Sequence, residues 1–118
     1  MVTIRFRKAL LLFPVCLFVV PAYSLAAEEF APDNEVTYKT VGETELRLHV
    51  FTPSDHKLSD KRAAIVLFHG GGWNSGSSGQ FHPHCSHLAS RGMVCMSADY
   101  RVRDRNNTTP REAVIDGK

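Results

Sequence analysis

Cysteine is scarce in this 118-residue chain, with three copies, and neither sign of charge dominates: 14 Lys and Arg stand against 12 Asp and Glu, a formal net of +2. Three cysteines cannot make the dense disulfide framework that holds small secreted scaffolds together. The small net charge gives no electrostatic reason to expect nucleic acid or an anionic membrane as partner. The sequence also lacks the uninterrupted apolar run of about 20 residues that crosses a bilayer. Its most apolar stretch, residues 9–20, is broken by Pro14. There is no internal repeat. The one Gly/Ser-rich tract, residues 70–79, lacks the G-K-[ST] ending of a phosphate-binding loop.

The N-terminus is a targeting segment by composition. Arg5, Arg7 and Lys8 form a basic region, residues 9–20 an apolar one, and Ser24-Leu25-Ala26 supplies the small residues that a signal peptidase needs. We expect residues 1–26 to be a signal peptide cleaved after Ala26 or Ala27, which places the mature chain, from residue 27 onward, outside the cell or in the periplasm. A retained anchor is the alternative, and the short, Pro-interrupted run argues against it. Cys16 follows Phe13-Pro14-Val15 rather than the small residues of a lipoprotein signal. Cleavage removes three bases and no acid and leaves a net charge of −1. Arg101, Arg103 and Arg105 are the one local basic cluster, offset by Asp99 and Asp104, and read as a solvated loop.

Past a polar lead-in, Val36 and Tyr38 alternate with polar residues, Gly42-Glu43 marks a turn, and Leu46, Leu48 and Val50 share one face. This pattern predicts a half-buried hairpin that Pro53 ends. Residues 63–68 are unbroken apolar, the signature of a strand covered on both faces. From Phe81 a helix is expected, with Pro83 in its first turn, Gly92 past its end, and Phe81, Cys85, Leu88 and Ala89 along one side. Residues 93–98 are a second apolar strand, so strand, helix and strand make a βαβ unit with parallel strands. Cys85 and Cys95 are expected as small buried hydrophobes, and spacing alone does not supply the geometry of a bond between them. Thr109-Pro110-Arg111-Glu112 combines an N-cap, a helix-starting proline and a capping-box glutamate. The helix it opens shows only two turns, too short to bury a useful face unaided.

Between the first apolar strand and the helix stands His69-Gly70-Gly71-Gly72-Trp73. Consecutive glycines let several backbone N–H groups face one cavity, in conformations that a Cβ forbids. Such donors stabilise the negative charge that develops on a carbonyl oxygen in acyl transfer. With the Gly/Ser loop, Arg91-Gly92, the second strand and Asp99-Tyr100-Arg101, this order resembles the start of an α/β-hydrolase of the esterase/lipase kind, in which an HGGG turn after the third strand builds the oxyanion hole. The likeness covers nearly all of the chain after the signal segment. It implies an α/β fold comprising an antiparallel hairpin β1-β2, then β3-αA-β4 and the start of αB. It also implies that the backbone N–H groups of Gly71 and Gly72 are the oxyanion donors, that Gly70 shapes the turn, that His69 supports the loop, and that Trp73 packs beside the acyl-binding cleft. Ordinary core packing is the other role open to Trp73.

The nucleophile elbow G-x-S-x-G of that family is missing. Gly76-Ser77-Ser78-Gly79-Gln80 comes nearest, and it fails at its last position and lies in the wrong loop. In this fold the acid and the histidine follow the serine along the chain. His49, His56, His69, His82, His84 and His87 are therefore poor candidates for the general base. His84, Cys85 and His87 suggest a metal, but no second cluster completes a ligand set, and no metal or cofactor is expected. Asn106-Asn107-Thr108 and Asn107-Thr108-Thr109 satisfy the N-x-[ST] pattern, relevant only in a source that glycosylates. The expectation is a piece of a secreted serine hydrolase acting on carboxylic esters, acylated sugars among them, that is inactive by itself. A non-catalytic secreted binding module and a piece of a prolyl-oligopeptidase-type peptidase are the alternatives. The oligomeric state stays open.

Overall fold

The computed structural model describes residues 30–118, so the signal segment read at residues 1–26 lies outside the described residues. The alternation after Val36 becomes a β-hairpin, β1 (Asn34–Val41) and β2 (Thr44–Phe51), turned at Gly42 with φ 60°. Its register slips at a bulge between Thr37 and Lys39. The βαβ unit follows as β3 (Ala64–Phe68), a 3₁₀ turn (Ser78–Phe81), α1 (His82–Ser90) and β4 (Val94–Ala98). β3 and β4 are parallel, from Ala64 opposite Val94 to Phe68 opposite Ala98.

Spatial order is β1-β2-β4-β3, with β4 inserted between β2 and β3 and antiparallel to β2. That insertion positions the site. The carboxyl ends of β3 and β4 lie side by side, so the glycine loop leaving β3 and the Asp99-Tyr100-Arg101 segment leaving β4 emerge together. In open α/β sheets this end is where ligands are taken up.

The sheet register fixes which side chains share a face. His49, Phe51, Ile65, Leu67, Cys95 and Ser97 fall on one side, and α1 closes over it through Cys85 and Ala89. Phe51, Cys85, Ala89 and Cys95 form the core, with Ile65, Leu67 and Leu88 packed against them. Both cysteines are free and fully buried. Burial, reinforced by the Cys95 thiol, pushes Cys85 up to about 12, so it is a neutral packing group. His84 and His87 are exposed on α1, while His82 turns inward against Phe51 and His49, with ring centroids 5.2 Å from each.

Three expectations need correction. Residues 63–68 are not covered on both faces: Val66 and Phe68 are 41% and 45% exposed, because the side of the sheet opposite α1 carries little cover among the described residues. Residues 101–105 are not simply a solvated loop. They run into a short helix, α2 (Arg103–Asn106), and the Arg101 side chain is drawn to the fully buried Asp116. The last helix, α3 (Pro110–Asp116), does bury residues despite its length. Ala113 packs with Tyr100 and Val102, and Asp116 is enclosed.

The capping box that opens α3 forms as the sequence implied. Arg111 N–H donates to Thr109 Oγ1 at 3.3 Å, and Thr109 N–H donates to Glu112 Oε2 at 2.9 Å. The Thr109 hydroxyl also bonds that carboxylate, and these bonds hold Glu112 below the usual carboxylate range. At the other end of the helix, Lys39 Nζ donates to Ile115 O at 2.5 Å, a cation on the carbonyl terminus. The helix is thus capped by its own residues at one end and tied to β1 at the other.

Candidate functional site

Glycine is required at two positions of the loop that follows β3. A Cβ on Gly71, whose φ is 130°, would lie 2.1 Å from Ser75 O. A Cβ on Gly76, φ 104°, would lie 2.4 Å from Gly70 O and 2.6 Å from His69 Nδ1. The loop therefore closes on itself, with backbone packed where side chains would normally be. In the sequence Gly76 stands out only as a member of the Gly/Ser tract 70–79 and of the near-match to a nucleophile elbow. A glycine inside a Gly/Ser tract carries no local sign that its hydrogen fills a backbone contact.

A peptide's C=O and N–H point in opposite directions, so pinning one aims the other. Gly70 O accepts from His69 Nδ1 at 2.9 Å. A carbonyl can only accept, so Nδ1 carries the proton, and the N–H of the same peptide unit, that of Gly71, is turned away from the His69 ring. Gly71 O accepts from Asn74 N–H at 3.1 Å and Ser75 N–H at 3.3 Å, which turns the Gly72 N–H outward in the same way. Neither N–H donates to any group among the described residues, and both glycines are solvent-exposed. Gly70 N–H, by contrast, donates to Gln80 Oε1 at 2.7 Å. The structure thus leaves the Gly71 and Gly72 donors unpaired and ties Gly70 into the turn.

His69 is buried at 4% exposure and is the best-held residue of the loop. Its ring stacks on Tyr100 with centroids 4.1 Å apart and planes 15° from parallel. The Tyr100 hydroxyl donates to His69 O at 2.6 Å, and burial raises the pKa of that phenol. His69 Nε2 is buried without a partner among the described residues. Tyr100 was read from sequence only as part of a motif; its hold on His69 spans 31 positions and has no local signature. Replacing Tyr100 with Phe keeps the stacked ring but leaves His69 O unpaired. The expected loss is about 1–3 kcal/mol, measured as a lower urea midpoint with unchanged slope.

Trp73 does not pack in the core. It is 49% exposed, sits at φ 62° despite its side chain, and lines a cavity of about 380 Å³ with Phe68, His69, Tyr100, Ala113 and Val114. Gly70, Gly71 and Gly72 do not line that cavity. The loop so built carries two free amide donors, at Gly71 and Gly72, and a fixed histidine and a tryptophan that line the neighbouring aromatic cavity. Such donors suit an oxygen acquiring negative charge. Among the described residues no three His, Cys, Asp or Glu side chains converge as metal ligands.

No family model matches the chain. Among curated proteins, the "Probable carboxylic ester hydrolase LipM" of Mycobacterium tuberculosis is 33% identical over 91 residues, 76% of this chain and 20% of that protein. The "Neuroligin-like protein glit-1" of Caenorhabditis elegans is 40% identical over 63 residues, 52% of this chain and 8% of that protein. A thermophilic esterase from the Planctomycetes species Thermogutta terrifontis, solved with propionate bound, is 46% identical with a TM-score of 0.71, covering 75% of this chain and 32% of the esterase. The esterase 2 of that species phosphonylated by cyclosarin is 48% identical with a TM-score of 0.68, over 70% of this chain and 31% of that one. The chain therefore spans about a fifth of the length of LipM and about a third of the solved esterases. These relatives do not favour the peptidase or binding-module alternatives. The described residues have an α/β fold that matches the β1–β4 portion of an α/β-hydrolase, and the proteins they resemble include ester-cleaving hydrolases.

Proposed function

We propose that this chain supplies the oxyanion-hole part of a secreted or periplasmic serine hydrolase that cleaves carboxylic esters, acyl esters of carbohydrates among them. The observation that carries this is the orientation of the Gly71 and Gly72 peptides, whose carbonyls are held within the loop and whose N–H groups are free. When a nucleophile attacks an ester carbonyl, the carbonyl oxygen takes on negative charge, and donors already aimed at it need no reorganisation. Trp73 then forms one wall of the acyl-binding cleft, His69 supports the loop rather than acting as base, and Gly70 shapes the turn. The basic and apolar regions of residues 1–26 support export.

Trp73 is the chain's one tryptophan, so its emission reports on this loop alone. Titrating residues 27–118 with sodium propionate is expected to change that emission saturably. The same protein should not turn over p-nitrophenyl butyrate, since its sequence holds no G-x-S-x-G elbow to present a nucleophile. Turnover that Gly71→Pro abolishes, or a folded chain whose Trp73 ignores propionate, would contradict the proposal.

A further inference from the structure

The glycine loop is held from outside as well as from within. The Arg103 N–H donates to Trp73 O at 3.0 Å, the Asp104 N–H to Asn74 O at 2.9 Å, and the Arg105 side chain, through Nη1, to Gly76 O at 2.6 Å. Three successive residues at the start of α2 thus take three carbonyls from one short stretch of the loop. Val102, the residue before α2, has no side-chain cap. The loop carbonyls themselves satisfy the helix's first donors, which would otherwise be unpaired. The segment is anchored in turn: Val102 is fully buried, its N–H donates to Asn106 Oδ1 at 3.1 Å, and the preceding Tyr100 and Arg101 are tied to His69 O and Asp116.

Of the three contacts with the loop, only that of Arg105 depends on a side chain. Its carbonyl partner belongs to Gly76, the residue whose missing Cβ lets the loop close against Gly70 O and His69 Nδ1. Gly70 O is also the atom whose capture by His69 turns the Gly71 N–H outward. Gly76 and the Gly71 donor are therefore linked through one crowded point. If Gly76 moves away from Gly70 O, the peptide plane that aims Gly71 keeps its bond to His69 Nδ1 but loses the backbone packed against it from the other side. Trp73 is held at φ 62°, a conformation that costs a non-glycine residue energy and persists only where its surroundings impose it. Arg103 N–H bonds its carbonyl, one of the contacts that hold the residue in place.

We propose that Arg105 is a positioning residue. Through Gly76 O, it clamps the loop at residues 71–76 onto α2 and so sets the direction of the Gly71 and Gly72 N–H groups. The role of those groups as oxyanion donors rests on the function proposed above; the clamp itself does not. Arg105 touches neither donor, so it acts on a substrate oxygen only through the loop.

The test uses the full chain and its single tryptophan, with Arg105→Ala and Arg105→Lys beside the wild type. Amide hydrogen exchange of a peptide spanning residues 69–80 is expected to rise about tenfold in Arg105→Ala, as the loss of one charged hydrogen bond implies. Exchange in β4 should not change, acrylamide should quench Trp73 more readily, and the emission response to propionate should weaken by about the same factor. Arg105→Lys, which keeps a cation in reach of Gly76 O, should recover part of each. Loop exchange and quenching unchanged in Arg105→Ala would overturn the clamp. Equal acceleration in the loop and in β4 would also overturn it, by showing a general loss of stability. A loosened loop with an undiminished propionate response would overturn the positioning role. If wild-type Trp73 itself ignores propionate, the donor proposal fails, while the exchange data still decide the clamp. Should Arg105→Ala not fold, Arg105→Lys and Arg105→Gln are judged by the same criteria.

Discussion

Replacing Asp116 with Asn is expected to cost about 3–5 kcal/mol, because it strips a buried charge pair of one partner and leaves the other in place. The Asp116 side chain is fully buried, and Arg101 grips it with Nε at 2.9 Å and Nη2 at 2.7 Å, while the Arg101 N–H adds a third bond at 3.0 Å. Burial by itself would raise the pKa of this carboxyl. The hydrogen bonds and charge of Arg101 outweigh it and hold the group below its ordinary 3.8. A carboxyl that is more acidic when folded stabilises the fold above the ordinary carboxylate range, and that contribution is lost as pH falls through its folded-state value. Urea unfolding should therefore show wild-type stability dropping on acidification below about pH 4, with a flatter profile in Asp116→Asn. The double change Arg101→Met with Asp116→Leu should recover most of the loss at neutral pH, since well-packed apolar replacement of a buried pair is often neutral. The effect reaches the site because Arg101 directly follows Tyr100. Freeing α3 from the sheet loosens the ring that stacks on His69.

Gly71→Ala should do little to the sheet and remove the loop's capacity to bind an anionic oxygen. The new Cβ would lie 2.1 Å from a backbone oxygen that no rotamer change can move, at a φ of 130° that side chains rarely adopt. The loop must reopen, and with it goes the bond network on Gly71 O that aims Gly72. Trp73 emission should then no longer respond to propionate. In an active enzyme built on this loop, the loss of a donor should lower kcat by about 10²–10³-fold. Gly42→Asn is the control. It also sits at positive φ, 60°, but a Cβ there meets nothing within 4 Å, and Asn tolerates that region, so the change should be close to neutral.

Most of the fold was legible because it is written in local periodicity. Alternation marked β1 and β2, the apolar runs marked β3 and β4, and Thr109 to Glu112 announced α3 through its own capping box. The insertion of β4 between β2 and β3 was not legible, since pairing between residues as far apart as Leu48 and Ala98 leaves no trace in spacing. The same limit hid the Arg101–Asp116 pair and the Tyr100–His69 bond. Apolar continuity in residues 63–68 was misleading about cover. Such a run says that a strand prefers burial on both faces, not that the described residues provide it. Within the site, the glycines that need positive φ were visible as glycines. The close approach of Gly76 to Gly70 O was not, and neither were the roles of Gln80 and Arg105, which act through ordinary polar chemistry on an amide and a carbonyl 10 and 29 positions away.

Grafting gives the most direct test of the claim that these residues form a working oxyanion hole. Residues 30–118 would replace the matching part of the Thermogutta terrifontis esterase, to which they are 46% identical, and kcat for p-nitrophenyl butyrate would be measured. A graft that hydrolyses the ester, and loses about 10²–10³-fold in kcat with Gly71→Ala, is the predicted result. A graft that unfolds cooperatively and keeps native near-UV ellipticity yet fails to hydrolyse the ester, or one indifferent to Gly71→Ala, would contradict it.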